Sequence, residues 1–117
     1  MATILVVDDE EIIRTPVARI LRRAGFTVVT ASSGLEGLAL FRSSPDRFDI
    51  IITDIQMPIM DGHQLVKLVR ETSAGVKIIC MSSCMGKPIP ANTEFLQKPF
   101  QMKALCACVD KLLQHHT

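Results

Sequence analysis

Apolar and polar positions along the chain alternate between two rhythms. Ile4-Leu5-Val6-Val7 is an unbroken apolar run, which predicts a strand buried on both faces. It stops at Asp8-Asp9. A helical spacing follows, with Ile13, Val17, Ile20, Leu21 and Ala24 on one side and arginines elsewhere, closed by Gly25 as a C-terminal cap. Pro16 interrupts that spacing, so the helix either kinks there or begins late. Phe26 to Thr30 reads as a second strand. Ser33 is placed to cap a helix over Leu35, Leu38, Ala39 and Phe41. Phe48 to Thr53 reads as a third strand, Gly62 to Glu71 as a short helix, Val76 to Met81 as a fourth strand and Glu94 to Gln97 as a short fifth. Met102, Leu105, Cys106, Val109, Leu112 and Leu113 form the apolar stripe of a last helix.

Strand and helix alternating in this way imply an α/β fold, a parallel sheet covered on both faces. Right-handed crossovers leave few arrangements of five strands. The doubly wound, flavodoxin-like order 2-1-3-4-5 is the natural one, with its ligand crevice at the carboxyl ends of strands 1 and 3. The 117 residues show no internal repeat and no linker, and fit one domain over residues 1–117.

Composition removes several alternatives. Thirteen basic against 12 acidic residues give a net charge of +1, which offers no reason to expect nucleic acid or an anionic membrane as partner. No apolar stretch approaches the roughly 20 residues of a membrane span. Met1-Ala2-Thr3 lacks a basic leader, so no signal peptide is expected. Cys80, Cys84, Cys106 and Cys108 have neither the spacing nor the turn setting of a zinc site and read as ordinary thiols of a reduced, cytoplasmic protein. His115 and His116 read as a solvated chain end rather than a ligand pair.

The chemistry collects where the predicted strands end. Strand 1 ends at Asp8-Asp9, strand 3 at Asp54 and strand 4 at Ser82, and Lys98 follows strand 5. The switch-point rule puts these groups on one rim. Three neighbouring carboxylates raise the cost of ionising any one of them and call for a cation. A small set of oxygen donors in a shallow site suits Mg²⁺.

Asp8-Asp9, the stretch "TDIQMPIMDG" from Thr53 to Gly62, Ser82 and "KPF" at 98 to 100 resemble the receiver domain of two-component response regulators. The resemblance covers nearly the whole chain. It implies that Asp54 is the phosphoacceptor. It further implies that Asp9 and Asp54 ligate Mg²⁺ directly with the backbone carbonyl of Gln56, while Asp8 acts through water. Lys98 would contact one phosphoryl oxygen and Ser82 another. Phe95 matches the aromatic switch position, and Pro99 would follow a cis peptide bond. The implied partners are a histidine kinase or phosphotransfer domain and an unknown output protein, with the chain a monomer or weak dimer, either a stand-alone receiver or one cut from a larger protein.

The chain departs from the family between Ser82 and Lys98, in "SCMGKPIPANTEFLQ". Gly86, Pro88 and Pro90 preclude a regular helix over most of the stretch where the family carries its fourth. An irregular crossover is expected there, covering the sheet through Ile89 and Met85, with a second copy, another domain or a mobile segment as the alternatives. Three other functions compete with this one. A constitutive interaction module would keep the site but signal without phosphate. A phosphohydrolase needs an acid where the chain has Gln56. A flavin site would be repelled by Asp8-Asp9-Glu10-Glu11.

Overall fold

The computed structural model describes residues 2–84 and 86–114; Met85, His115 and His116, named above, lie outside them. Five parallel strands, β1 (Thr3–Val7), β2 (Thr27–Ala31), β3 (Ile50–Asp54), β4 (Lys77–Ser82) and β5 (Glu94–Gln97), form one sheet. Their order is β2-β1-β3-β4-β5, the doubly wound arrangement that the sequence pattern predicts. Four helices connect or follow them: α1 (Glu11–Arg23), α2 (Gly34–Ser43), α3 (Gly62–Thr72) and α4 (Met102–Gln114).

Alternate strand residues feed two cores, because successive side chains point to opposite faces. Leu5, Val7, Ile51, Ile78 and Cys80 join Phe41, Leu65 and Val69 under α2 and α3. Ile4, Val6, Ile50, Ile52 and Met81 join Val17, Leu21, Leu105 and Val109 under α1 and α4. This double burial is why the central strands carry apolar side chains from their second residue until they near their carboxyl ends. The buried thiol of Cys80 belongs to the first core, and burial pushes it up to about 11, so it packs rather than reacts.

Local contacts set the boundaries. α1 begins at Glu11 and runs through Pro16, which therefore gives no N–H to the carbonyl of Ile12. The late start is not taken, because the backbone N–H of both Ile13 and Arg14 already donates to the Glu10 carbonyl. β3 starts at Ile50 rather than Phe48; just ahead of it Asp49 is bound to β1, its Oδ2 accepting the Thr3 N–H at 2.8 Å and its own N–H donating to the Thr3 carbonyl at 2.9 Å. It extends one residue further than Thr53, so Asp54 is itself the last strand residue.

Among the described residues between β4 and β5 there is no helix. Ile89 packs onto the α2–α3 core, as expected of a crossover that covers the sheet. A second device comes from α3. The Arg70 guanidinium donates to the carbonyls of Ala74, Val76 and Asn92, the last at 2.8 Å, and so ties the crossover to α3. Asn92 takes a left-handed conformation (φ 60°), which Asn tolerates better than most residues.

Candidate active site

The carboxyl ends of β1 and β3 bring Asp8 and Asp54 together. Asp8 is fully buried and Asp54 is 3% exposed. Lys98, which follows β5, places its Nζ 3.0 Å from Asp8 Oδ2 and 3.2 Å from Asp54 Oδ2, and 3.9 Å from Glu10 Oε1. The Lys98–Pro99 peptide is cis. Asp8 Oδ1 accepts the Glu10 N–H at 2.9 Å, and Asp54 Oδ1 accepts the Gln56 N–H at 3.4 Å.

Burial holds the Asp54 carboxyl above its ordinary range; Lys98 opposes that shift and the negative charge of Asp8 adds to it. Burial acts on Lys98 in the opposite sense, but its hydrogen bonds and charge interactions with Asp8 and Asp54 outweigh it, and the ammonium is held more firmly than usual. The site is therefore an acidic pair short of positive charge, with one lysine shared between its members.

Carboxylate oxygens of Asp8, Glu10 and Asp54 lie within 4.8 Å of one another. The donor set is all oxygen, carries three negative charges and opens at its Glu10 side, which is exposed. It fits a hard cation such as Mg²⁺. Asp9 is exposed and stands outside this group of three. The sequence pattern does not mark Glu10 as a ligand; its position two residues beyond Asp8, at the turn into α1, is the available signal.

The loop behind Asp54 is held from α3. Asp61 caps that helix through a reciprocal pair with Gln64, its Oδ1 accepting the Gln64 N–H at 2.9 Å. Gly62 donates its N–H to the Ile55 carbonyl at 2.8 Å. A Cβ on Gly62 would stand 2.6 Å from the Asp54 carbonyl oxygen, a distance that side chains do not tolerate. The Asp-Gly pair thus both starts α3 and lets it press against the backbone of the candidate nucleophile.

Ser82, the last residue of β4, is 2% exposed. Its hydroxyl donates to Gln56 Oε1 at 2.9 Å and accepts the Cys84 N–H at 3.0 Å. Phe95 is 39% exposed. Ser82, Gln56 and Phe95 border one open cavity of about 570 Å³ between the β3–α3 loop and the crossover.

Residues 4–110 match the response regulator receiver domain. The chain belongs to that family. The receiver is the phosphoacceptor module of two-component signalling. A similar curated protein is the sensor kinase CckA of Brucella abortus, 35% identical over 97% of this chain; the chain spans 13% of that protein's length. Among solved structures, a response regulator receiver domain protein from Clostridium thermocellum superposes with a TM-score of 0.90 at 27% identity, covering 98% of this chain and 96% of that one. The receiver domain of the hybrid histidine kinase CckA gives 0.87 at 32% identity, covering 97% and 100%. Among the described residues no helix is long and apolar enough to cross a membrane.

Proposed function

We propose that this receiver, a single domain over residues 1–117, accepts a phosphoryl group on Asp54 from the phosphohistidine of a kinase or phosphotransfer protein. The observation that carries this reading is the shared lysine: Lys98 sits 3.2 Å from a nearly buried carboxylate that ends a central strand. An Asp54 oxygen forms a bond to phosphorus as the P–N bond to the imidazole breaks, and the imidazole leaves with the electron pair. The product is an acyl phosphate. Lys98 keeps its proton throughout and faces the developing negative charge, so the protein's contribution is chiefly positioning and electrostatics.

Asp8, Asp9, Asp54 and the Gln56 carbonyl would hold Mg²⁺, with Glu10 in the same acidic group. When bound, the ion neutralises charge on the carboxylates and on the transferred group. Lys98 and Ser82 serve the phosphoryl oxygens, and Phe95 follows Ser82 as the aromatic switch. The phosphorylated form then favours a different protein-binding surface and is read by an output partner. The chain acts in the cytoplasm as a monomer or weak dimer, promotes its own phosphorylation and dephosphorylation, and is not a turnover enzyme.

Intact mass after incubation with acetyl phosphate tests the proposal. A gain of one phosphoryl group that needs Mg²⁺ and is absent from Asp54→Asn is expected. Equal labelling of that variant would contradict it.

A further inference from the structure

A serine hydroxyl has one proton to give. That of Ser82 is already committed: it goes to Gln56 Oε1 at 2.9 Å, while the oxygen accepts the Cys84 N–H at 3.0 Å. Ser82 cannot donate to a phosphoryl oxygen and to Gln56 at once. Gln56 stands two residues after Asp54 and is tied to it by its own N–H. Its side chain is exposed at the edge of the 570 Å³ cavity that Ser82 also borders, so the amide has space into which to withdraw.

We propose that the Gln56 side-chain amide is a latch on Ser82, a positioning residue that holds the hydroxyl in the unphosphorylated arrangement and competes with the phosphoryl group for its proton. This rests on the phosphoacceptor reading of Asp54. The backbone carbonyl of Gln56 keeps whatever role it has toward a metal, because the latch uses only the side chain. Its effect is to set how readily the chain enters the phosphorylated state. Removing it favours that state, by the worth of one hydrogen bond that no longer has to be broken.

Gln56→Met keeps the length and approximate shape of the side chain and replaces the amide with a thioether, a weak acceptor. Because Gln56 is exposed, the fold should tolerate the change. With acetyl phosphate and Mg²⁺, the ratio of phosphorylated to unphosphorylated chain, read by intact mass, is expected to rise about fivefold in this variant. In a Ser82→Ala background the same substitution should change nothing, since no hydroxyl remains to be held. A separate readout needs no phosphate. The amide ¹H–¹⁵N resonance of Cys84, which donates to the Ser82 hydroxyl, should move in Gln56→Met as that hydroxyl reorients.

A fivefold effect that persists without the Ser82 hydroxyl would mean that Gln56 acts directly on the phosphoryl group, and would overturn the latch. So would a Gln56→Met protein that labels like wild type, or a Cys84 resonance that does not move. Wild-type chain that takes no phosphoryl group would overturn the phosphoacceptor reading and the latch with it, which separates the two failures.

Discussion

The Lys98 ammonium lies 3.0 Å from Asp8 and 3.2 Å from Asp54, one cation shared by two buried carboxylates that arrive on different strands. Its side chain is 11% exposed, so solvent screens the pair weakly. Replacing Lys98 with Met would leave two acids facing each other without a counter-charge. The expected cost is about 3–5 kcal/mol, the range for losing one partner of a buried ion pair. Mg²⁺ should restore much of that loss. Urea unfolding of Lys98→Met with and without Mg²⁺ measures both terms; a variant as stable as wild type in metal-free buffer would show that the bridge has little weight.

Asp54 has the opposite signature. Its carboxyl is held above the ordinary range, first by burial, so the folded chain binds its proton more tightly than the unfolded chain does. Ionisation of Asp54 therefore lowers stability as pH rises from the ordinary aspartate range through the raised folded value, and the loss persists at neutral pH. Asp54→Asn should melt at a higher temperature than wild type at pH 7 in the absence of Mg²⁺. The gap should narrow as pH falls towards 4. Thermal melts at several pH values check this, and a lower melting temperature for the variant at pH 7 would reverse the sign.

Gly62→Ala places a methyl group where the Asp54 carbonyl stands, at 2.6 Å, with Ile55 Cα at 2.7 Å. Both obstacles are backbone, so either α3 or the end of β3 must shift. A destabilisation of about 1–3 kcal/mol is expected from such overpacking. Phosphorylation should slow as well, because displacing the nucleophile by a fraction of an ångström degrades in-line attack. Denaturant unfolding and the labelling rate together measure the effect; a stable variant that labels at the wild-type rate would show that the loop yields freely.

Arg70→Met removes donors from three carbonyls, one of them 22 residues away at Asn92. The crossover should lose its tie to α3 at a cost of about 1.5–3 kcal/mol, the range for hydrogen bonds to a charged group. Amide hydrogen exchange should accelerate over Thr93 to Gln97 more than in β1 or β3. Uniform exchange across all five strands would assign the hold on β5 to Ile89 packing and the β4 ladder alone.

The strand order and the positions of Asp8, Asp54, Ser82 and Lys98 were legible because they follow from local pattern. Ile4-Leu5-Val6-Val7 could be buried on both faces only in a covered parallel sheet, and such a sheet assembles its strand ends on one rim. Gly86, Pro88 and Pro90 likewise announced a crossover whose described residues hold no helix. The remaining features depend on distances that no periodicity encodes. Gln56 meeting Ser82 joins residues 26 apart through side-chain atoms, and the pressure of Gly62 on the Asp54 carbonyl appears only when α3 docks. The grouping of Glu10 with Asp8 and Asp54 needs the turn into α1, where the Glu10 N–H folds back onto Asp8. Arg70 showed no sign of its role because the carbonyls it serves belong to irregular backbone.

The most direct test of the central claim is to locate the phosphoryl group chemically. After treatment with acetyl phosphate and Mg²⁺, borohydride reduces an aspartyl phosphate to homoserine, which peptide mapping reads at a single position. The account predicts homoserine at residue 54 and nowhere else. Homoserine at Asp8 or Asp9, the one-carbon-longer amino alcohol that a glutamyl phosphate would give at Glu10, or phosphate found on Ser82 or a histidine, would contradict it.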